Sequence, residues 1–379
     1  MTKILYLVNV DWFFISHRLP IAIAAKEAGY DVHIACNFTD HFDFLGSFGF
    51  TLHPVPFNRS SGGVLQEVKT LKRIWQIFKH VSPDIVHAVT IKPVLYGGSV
   101  ARVLGIKNMV YAVSGLGLVF VAEGFLAKIR RLFVKRLYKF ALGVKNFGVI
   151  FQNPIDKSVL KKAVGLKEEH CLMIKGSGAD LTTYKVIPEP SGTPVVVMAA
   201  RLLKEKGVYQ FVEAARLLKA RNVEAKFQLI GEPDPGNPNT VKAKELEQWR
   251  KEGIVEVLGF RADIPDVFAA SNIVVLPSFY GEGLPKVLIE AAACGRAIVT
   301  TDNPGCAEAV IHGVNGFIVP AKNSALLADA IEQLVGNAEL RQSMGKAGRE
   351  LAENEFDVLA VVAKHLDIYQ ELLKSPQNG

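Results

Sequence analysis

The chain has few cysteines, and they form none of the short patterns that mark a metal or redox site. No two of them stand in a C-x-x-C pair, and their spacing matches no common zinc site. This excludes a disulfide framework and leads us to expect a reducing compartment, the cytoplasm. The cysteines are Cys36, Cys171, Cys294 and Cys306.

The sequence also lacks an apolar run long enough to span a bilayer. The longest nearly apolar stretch, residues 109–122, contains Ser114, Gly115 and Gly117 and is shorter than the ~18 residues that a membrane-spanning helix needs. The first strand-like segment begins at Ile4, which leaves no room for a signal sequence. We therefore expect a protein that is not exported and does not cross a membrane.

The patterns of several cofactor and metal sites are missing as well. No G-x-G-x-x-G follows the first strand of either predicted domain, which argues against a dehydrogenase. There is no Asp-x-Asp motif, and His33, His41 and His53 are scattered among apolar residues. His87 lies inside a predicted strand, where it is either a core residue or a functional one. We expect neither a bound metal nor an organic cofactor.

The composition predicts two globular domains of similar size. The chain has 379 residues, of which 49% are hydrophobic and 21% charged. Short apolar runs alternate with helical patterns in both halves, which predicts repeated β-α units, and two runs are continuously apolar, as in buried parallel strands. The predicted strands are Ile4–Val10, Asp31–Cys36, Thr51–Val55, Asp84–Val89, Met109–Val113, Val149–Gln152, Val195–Ala199, Lys226–Ile230, Val255–Leu258, Ile273–Leu276, Ala297–Thr300 and Gly316–Val319.

Prolines, a serine and a glycine crowd residues 188–194 and indicate a linker. We predict a first domain at 1–183, a linker at 184–194, a second domain at 195–355, and a C-terminal helix at 356–379 that can cross back to the first domain. The predicted fold class is α/β, with two doubly wound parallel sheets. Ligands of such sheets lie outside the carboxyl ends of the strands, so the residues that follow strands are the candidates for function.

Two glutamates follow a buried strand of the second domain. Glu282 lies in a glycine-rich loop, and Glu290 lies in the helix whose first turn contains Pro285. Loop and helix can present both carboxylates to one crevice, where they would accept hydrogen bonds from sugar hydroxyls. The free N–H groups of Gly283 and Leu284 would face an anion such as a diphosphate.

A second group of charged residues follows the first strand of the second domain. Arg201 and Lys206 stand in the pattern R-x4-K-G, and Lys204 between them is expected to be a solvated neighbour. Positioned cations can neutralise charge that develops on a leaving group. The plainer alternatives are that these bases only decorate a helix start, and that Glu290 only pairs with Lys286 one turn back.

Together these elements resemble the signature of the family-4 retaining glycosyltransferases, which have the GT-B fold of two Rossmann-like domains facing across a cleft. The resemblance covers nearly the whole chain and is strongest in residues 201–320. It implies that Glu290 binds the ribose of a nucleotide and that Glu282 approaches the donor sugar or its phosphate. It also implies that Arg201 and Lys206 bind the diphosphate without a metal ion.

Weaker matches support the same resemblance. Phe260 and Arg261, after a strand, resemble the loop that borders the nucleobase. The segments 301–308 and 313–316 resemble the end of the family's nucleotide-binding domain. These matches imply that Phe260, Arg261 and the backbone around Pro285 belong to the substrate site.

The first domain should bind the acceptor. The loop that follows its first strand is unusually aromatic, and we predict that Asp11, Ser16 and His17 contact the acceptor sugar. The turn that contains Gly115 and Gly117 follows another strand and can let the backbone approach a ligand closely.

The aromatic segment W-F-F-x-S-H-R and the S-G-L-G turn resemble a narrower subgroup. Its members extend glycans on undecaprenyl diphosphate from UDP-N-acetylhexosamine or UDP-hexose donors, in O-antigen, capsule or N-glycan assembly. The resemblance implies a UDP-sugar as co-substrate and a lipid-linked glycan as acceptor. Two alternatives stay open: a nucleotide-sugar epimerase of the same architecture, and a non-catalytic sugar- or lipid-binding partner of a transferase complex.

Positive charge is concentrated in one segment of a chain with net charge +7. Between Glu123 and Asp156 there are seven Lys or Arg residues and no acidic residue. Residues 125–140 have a helical pattern with apolar residues on one face and most bases opposite, although Arg136 falls inside the apolar arc. We predict that this helix attaches the protein peripherally to the anionic inner face of the plasma membrane. The alternative is a crossover helix with a solvated basic face. The predicted membrane-facing bases are Lys128, Arg130, Arg131, Lys135, Arg136 and Lys139.

Nucleic acid would attract the same charge. The bases of this segment are not joined by exposed stacking aromatic residues or by a recognised nucleic-acid-binding module. We therefore expect no nucleic acid among the partners.

Overall fold

A computed structural model describes residues 1–57, 63–116, 125–279 and 281–374, without the side chains of residues 125–130. The chain divides into two compact units. Unit 1 consists of Met1–Ser177 and Leu359–Gly379, and unit 2 consists of Gly178–Val358. Within the described part of the chain, no helix combines the length and the apolar character that crossing a bilayer requires.

Unit 1 contains a sheet of seven strands, all parallel, in the order β3-β2-β1-β4-β5-β6-β7. Six of these strands confirm the predicted ones. The edge strand β7 was not predicted. The strands are β1 Lys3–Val10, β2 Asp31–Asn37, β3 Thr51–Pro54, β4 Ile85–Val89, β5 Asn108–Val113, β6 Asn146–Phe151 and β7 Cys171–Met173.

Helices cover both faces of this sheet, because successive side chains of a buried strand point to opposite faces. In β1, Leu5 and Leu7 belong to one core, and Ile4, Tyr6 and Val8 belong to the other. The helices of this part of the chain are α1 Asp11–Glu27, α2 Phe42–Ser47, α3 Gly63–Val81, α4 Ile91–Leu104, α5 Phe125–Ala141 and α6 Pro154–Val164.

Unit 2 has a sheet of six parallel strands in the order β10-β9-β8-β11-β12-β13. All six confirm predicted strands, and every residue of β11 is buried. The strands are β8 Val195–Ala199, β9 Lys226–Ile230, β10 Glu256–Gly259, β11 Ile273–Leu276, β12 Ala297–Thr301 and β13 Gly316–Val319. The helices are α7 Val208–Ala220, α8 Ala243–Glu252, α9 Ile264–Ala269, α10 Lys286–Ala293, α11 Pro304–Ala307, α12 Ser324–Val335 and α13 Ala338–Glu355.

The boundary between the units lies after Ser177, earlier than the predicted linker. The predicted linker segment packs within unit 2, where the carboxylate of Glu189 accepts hydrogen bonds from Arg341, at 3.0 Å, and Asn272, at 3.0 Å. The last helix, α14 Val358–Lys374, lies almost wholly in unit 1. Its residue Tyr369 is part of the same core as the residues of α1.

Buried polar side chains connect α14 with β4 and α1. His87 Nδ1 lies 2.7 Å from the hydroxyl of Tyr369, and His365 stacks on His87 with ring centroids 5.6 Å apart. The guanidinium of Arg18 is buried beside them, and its Nε has no hydrogen-bond partner in the described part of the chain. Burial, followed by the charge of Arg18, lowers the pKa of His365 to about 3 and the pKa of His87 well below its ordinary value. His87 is therefore a neutral core residue.

We expect unit 1 to lose stability as the pH falls below the ordinary histidine pKa of about 6.5. The unfolded chain binds a proton at His87 and at His365 in this range, whereas the folded chain does not, so acid favours unfolding. Each of the two side chains should lower the free energy of unfolding by roughly 1.4 kcal/mol per pH unit until the pH reaches its folded-state pKa. Urea titrations at pH 7.5 and 5.5 measure this loss, with the unfolding of unit 1 monitored by hydrogen exchange of its peptides.

The His365→Gln variant is the control for that measurement. The free energy of unfolding of this variant should depend less steeply on pH, by about one proton, because one of the two titrating groups is gone. Equal pH dependence of the variant and the natural protein would contradict the assignment.

Candidate functional site

The strand order of the unit 2 sheet reverses at its centre, which makes this place a topological switch point. The neighbouring strands β8 and β11 are parallel, and the chain continues from β8 to β9 and β10 on one side and from β11 to β12 and β13 on the other. Ligands of open parallel sheets bind at such a switch point, outside the carboxyl ends of the strands. Arg201 and Lys206 follow β8, and Glu282 follows β11.

Lys206 and Glu282 form an ion pair across this switch point. The other carboxylate oxygen of Glu282 accepts a hydrogen bond from the hydroxyl of Ser278, just after β11. The side chains of Lys206 and Glu282 are 16% and 13% exposed, so the pair is mostly shielded but can still be reached from solvent. A ligand at this edge can meet an ammonium and a carboxylate together.

Close backbone packing fixes the turn that carries Lys206. Gly207 has φ +81°, and a Cβ at this position would lie 2.1 Å from the carbonyl oxygen of Pro277. Only glycine avoids that clash. The N–H of Phe279 donates to the carbonyl oxygen of Glu205 at 2.9 Å. The turn is therefore bound directly to the segment that follows β11.

The loop that carries Glu282 rests in turn on α11. A Cβ added to Gly305 would lie 1.4 Å from the carbonyl oxygen of Gly283 and 2.5 Å from that of Glu282. The hydroxyl of Thr301, at the end of β12, donates to the carbonyl oxygen of Ser278. The position of Glu282 thus depends on contacts from β12 and α11.

Glu290 lies on α10, which begins after Pro285, and it has two partners. One carboxylate oxygen accepts a hydrogen bond from the hydroxyl of Tyr184 at 2.5 Å, and Lys286 Nζ lies 3.3 Å from the same oxygen. Burial, followed by the charge of Glu290, raises the pKa of Tyr184. The ion pair between Glu290 and Lys286, which was the plainer alternative, is therefore present. The carboxylate of Glu290 is nevertheless buried and also accepts a hydrogen bond from the phenol of Tyr184.

Tyr184 was not predicted as a site residue. It stood in the predicted linker, and 106 residues separate it from Glu290. Arg349 fixes its backbone by donating to the carbonyl oxygens of Tyr184 and Ala293, each at 2.8 Å. No local pattern reveals such a contact, because it depends on how the start of unit 2 packs on α10.

Arg201 forms an ion pair with Asp234 at 3.0 Å. Asp234 follows β9 and is buried, whereas Arg201 remains 47% exposed at its side chain. Asp234 was not predicted, because no motif surrounds it. Of the residues predicted to border a nucleobase, Phe260 is exposed at the end of β10, and Arg261 pairs with Asp263.

Asp11 lies in the interior of unit 1, and not in a loop that contacts the acceptor sugar as predicted. The segment predicted as an aromatic loop is helical, because α1 begins at Asp11 directly after β1. The carboxylate of Asp11 is fully buried and accepts hydrogen bonds from the N–H groups of Trp12 and Thr39, at 2.8 and 2.7 Å, and from the Thr39 hydroxyl at 2.8 Å. Burial alone would raise the pKa of Asp11, but these hydrogen bonds lower it. Asp11 holds the segment after β2 in place and has no surface for an acceptor sugar.

Ser16 and His17 lie on the second turn of α1 and are half-buried. The ring of His17 stacks on Phe13 with centroids 4.1 Å apart. Pro20 lies inside the helix, and because proline has no N–H, the carbonyl of Ser16 lacks its usual helical donor. Gly115 follows β5 with φ +102°, whereas Gly117 lies outside the described residues.

Helix α5 exposes part of its apolar surface. Leu132, Phe133 and Phe140 are exposed, whereas Val134 and Leu137 are half-buried against the unit 1 core and Tyr138 is buried. The bases Lys135, Arg136 and Lys139 are exposed with them, whereas Arg131 is half-buried. The side chains of Lys128 and Arg130 lie outside the described part. A helix that only covers the sheet would bury its phenylalanines, so the face of α5 is both basic and apolar.

Two histidines predicted to be scattered are neighbours. His33 Nδ1 lies 3.0 Å from His53 Nε2, and His33 Nε2 lies 3.2 Å from a carboxylate oxygen of Asp31. Within the four described ranges, no group of three or more His, Cys, Asp or Glu side chains is arranged to hold a metal ion.

Two Rossmann-like units of parallel sheet in series are the architecture of the GT-B glycosyltransferases, and solved structures share this fold. The Anabaena protein HepE in complex with UDP has a TM-score of 0.76 at 21% identity and covers 98% of this chain and 100% of its own. Sucrose-phosphate synthase from Thermosynechococcus elongatus has a TM-score of 0.81 at 19% identity, with coverage of 99% and 100%. These similarities confirm the predicted fold class.

Sequence comparisons match each half of the chain to a glycosyltransferase family. Residues 182–351 match the family described as glycosyl transferases group 1, and residues 3–153 match the family described as glycosyl transferase 4-like. These two matches, one in each half of the chain, identify it as a glycosyltransferase.

Two curated relatives span nearly the whole chain. The N,N'-diacetylbacillosaminyl-diphospho-undecaprenol alpha-1,3-N-acetylgalactosaminyltransferase of Campylobacter jejuni is 29% identical, over 94% of this chain and 96% of its own length. The UDP-Gal:alpha-D-GlcNAc-diphosphoundecaprenol alpha-1,3-galactosyltransferase of Escherichia coli is 24% identical, over 91% and 90%. Both relatives are transferases, which gives the epimerase alternative no support.

Proposed function

We propose that the enzyme transfers an N-acetylhexosamine or hexose from a UDP-sugar to a glycan carried on undecaprenyl diphosphate, with retention of anomeric configuration and without a metal ion. The observation that carries this proposal is the Lys206–Glu282 pair across the switch point of unit 2. The names of the Campylobacter jejuni and Escherichia coli relatives support the acceptor class and, in the second case, the UDP donor.

The charges around the switch point suit a nucleotide diphosphate sugar. A diphosphate drawn to Lys206 and Arg201 meets two cations, which stabilise the charge that develops as the glycosidic bond breaks. The carboxylates of Glu282 and Glu290 accept hydrogen bonds from sugar and ribose hydroxyls. We assign no general base, and we propose that the departing phosphate oxygen takes the acceptor proton.

A panel of UDP-sugars tests the reaction. Each donor is incubated with undecaprenyl-diphosphate-linked N-acetylglucosamine in the presence of EDTA, and products are read by mass spectrometry. We expect transfer from one donor, and nuclear magnetic resonance of the product should show the anomeric configuration of that donor. Absence of transfer and of hydrolysis across the panel would refute the proposal, and so would an inverted product.

The exposed face of α5 supports docking at the inner face of the plasma membrane, where a lipid-linked acceptor is located. Phe133 is 66% exposed and Leu132 52%, which is unusual for a surface helix unless a second apolar phase covers these side chains. Lys135, Arg136 and Lys139 are exposed on the same helix. Apolar insertion and attraction to anionic lipid would then act together.

Charge reversal should detach the enzyme from anionic vesicles. Replacing Lys135, Arg136 and Lys139 with glutamate removes an attraction of about 1 kcal/mol for each base, so vesicle affinity should fall roughly a hundredfold or more. Flotation with vesicles of phosphatidylglycerol and phosphatidylethanolamine measures it.

The matched control reverses three exposed lysines of unit 2, Lys219, Lys244 and Lys251. This variant has the same net charge and should bind vesicles like the natural protein. If both variants lose affinity equally, the attraction comes from overall charge and α5 is not the docking helix.

Removing the hydroxyl of Tyr184 should weaken the binding of UDP about tenfold, because a hydrogen bond to a charged group contributes roughly 1.5 kcal/mol or more. The Tyr184→Phe change leaves Glu290 without the bond that orients its carboxylate. If Glu290 binds the ribose, 2′,3′-dideoxy-UDP should bind the variant and the natural protein equally well. Isothermal titration calorimetry with both nucleotides completes this cycle.

Tyr209→Phe is the control for that cycle. The hydroxyl of Tyr209 donates to the carboxylate of Glu245 at 2.8 Å, a similar bond at another place in unit 2. Its removal should leave the affinity for UDP unchanged. An equal loss of both nucleotides in Tyr184→Phe would mean that Tyr184 only supports the fold.

A further inference from the structure

A cavity of 550 Å³ opens in unit 2 at the amino end of β12. The nucleotide is proposed to bind at the carboxyl ends of the strands, so this cavity is a separate site at the opposite edge of the sheet. Its volume is within the range of about 300 to 1,000 Å³ that is typical of small-molecule sites. The lining residues are 186–189, Gly295, Arg296, Gln342, Lys346 and Arg349.

The lining of this cavity is mostly cationic. Arg296, Lys346 and Arg349 contribute three positive charges. Among the lining residues, all of which the structure describes, Glu189 is the one carboxylate, and it already pairs with Arg341 at 3.0 Å. Burial lowers the pKa of Arg296, although the charge of Glu189 partly offsets this effect. The charges of the lining therefore favour an anionic ligand.

Two of these cations can reach a ligand. Lys346 is exposed on α13, and Arg349 follows it by three residues, so both side chains lie on the same side of the helix. The side chain of Arg349 is 21% exposed. Among the described residues, its hydrogen bonds use Nε and Nη1, so Nη2 remains for a ligand. A phosphate group accepts hydrogen bonds from an ammonium and a guanidinium together.

Another wall of the cavity is apolar. It consists of Val186, Ile187 and Pro188, and the first two of these residues are 52% and 44% exposed. Arg296 holds this wall in place, because its Nη2 donates to the carbonyl oxygen of Ile187 at 2.9 Å. A ligand that carries a small apolar group beside its anionic group would cover these side chains and remove apolar surface from water.

Arg349 also connects the cavity with Glu290. Its Nη1 donates to the carbonyl oxygens of Tyr184 and Ala293, each at 2.8 Å. Ala293 is the last residue of α10, the helix that carries Glu290, and the hydroxyl of Tyr184 donates to the carboxylate of Glu290 at 2.5 Å. The guanidinium thus joins the two segments that position this carboxylate. A ligand bound to Nη2 would hold the guanidinium in the same arrangement.

We propose that this cavity binds a small organic phosphate, and that the bound phosphate strengthens the binding of UDP at the other edge of the sheet. Lys346 and Nη2 of Arg349 bind the phosphate group, and the organic part covers the apolar wall. The ligand stabilises the position of Arg349 and, through Tyr184, that of the Glu290 carboxylate. The coupling rests on the proposed role of Glu290 in binding UDP, whereas the binding site in the cavity does not.

Phenyl phosphate is the probe for the binding site, because it combines a phosphate group with a small apolar ring. Isothermal titration calorimetry is performed with UDP in excess, so that the diphosphate site at Lys206 is occupied. We expect binding to the natural protein. Lys346→Glu should weaken it at least tenfold, since repulsion replaces a hydrogen bond between charged groups.

Lys219→Glu is the matched control for this measurement. It changes an exposed lysine of α7 in unit 2 by the same charge, and it should bind phenyl phosphate like the natural protein. The site is refuted if the natural protein does not bind the probe, or if both variants bind it equally.

The affinity for UDP tests the coupling. Saturating phenyl phosphate should lower the Kd for UDP about fivefold in the natural protein and in Lys219→Glu, an effect at the lower end of the usual range for coupled sites. In Tyr184→Phe the probe should still bind but should leave the Kd for UDP unchanged, because the connection to Glu290 is broken. The coupling is refuted if the natural protein shows no change, or if Tyr184→Phe shows the same change.

These measurements are separate from the test of the proposed reaction. Absence of sugar transfer across the panel of UDP-sugars would refute the proposed function, and binding of phenyl phosphate to the natural protein would still support the cavity as a site. Transfer without any binding of phenyl phosphate would overturn this inference and leave the proposed function standing.

Discussion

Replacing Lys206 with methionine should lower kcat for sugar transfer by about a hundred- to a thousandfold. A positioned donor that meets developing negative charge contributes roughly 3 to 4 kcal/mol to the transition state. The ammonium of Lys206 is mostly shielded from water and lies at the switch point of unit 2, so methionine removes the charge with little change in size. Steady-state kinetics with saturating UDP-sugar measure the loss.

Two comparisons give this prediction its specificity. Lys204→Met changes an exposed lysine of the same turn and should retain nearly full activity. Glu282→Gln added to Lys206→Met removes the carboxylate that the first change leaves without its cation. If the double variant regained activity, Lys206 would serve only to neutralise Glu282, and its proposed role on the diphosphate would be wrong.

A single methyl group at Gly305 should reduce transfer by more than about a hundredfold. The Cβ would lie 1.4 Å from the carbonyl oxygen of Gly283, so the loop that carries Glu282 must move by more than 1 Å in the Gly305→Ala variant. A displacement of about this size can lower a rate a hundredfold when it moves reacting groups out of position. UDP binding, transfer rate and unfolding temperature should be measured together.

Gly336→Ala is the control for this change. Gly336 ends α12 with φ −77° and has its nearest neighbouring atom 3.5 Å from an added Cβ. It should retain the activity and the unfolding temperature of the natural protein. Normal UDP binding and transfer by Gly305→Ala would show that the Glu282 loop adapts, and that its observed position is not required.

The regular part of the fold could be predicted from the sequence. Short apolar runs between helical patterns predict twelve of the described strands, and two of these runs are continuously apolar, as in buried parallel strands. The edge strand β7 has three residues, none of them fully buried, and so short an apolar run does not predict a strand. The start of α1 is predicted as a loop because it directly follows the first strand. In the structure Phe14 packs in the core and Asp11 is buried.

The candidate site was predictable where chemistry and strand ends coincide. The pair of Lys206 and Glu282 follows from a base and an acid placed after adjacent strands. The contact of Tyr184 with Glu290 could not be predicted, because it joins distant parts of unit 2 through packing. The exposed side of α5 could not be predicted either, since helical periodicity identifies an apolar face but does not say what covers it.

The path of the last helix limits how this enzyme can be recombined. Because α14 contributes Tyr369 to the core shared with α1, a fragment that ends at Ser177 would lack part of its own interior and should aggregate. Chimeras that graft a new nucleotide-binding half must therefore insert it between Ser177 and Leu359 and keep the native tail. Evolution by exchange of halves faces the same restriction, since two crossovers are needed where one would otherwise suffice.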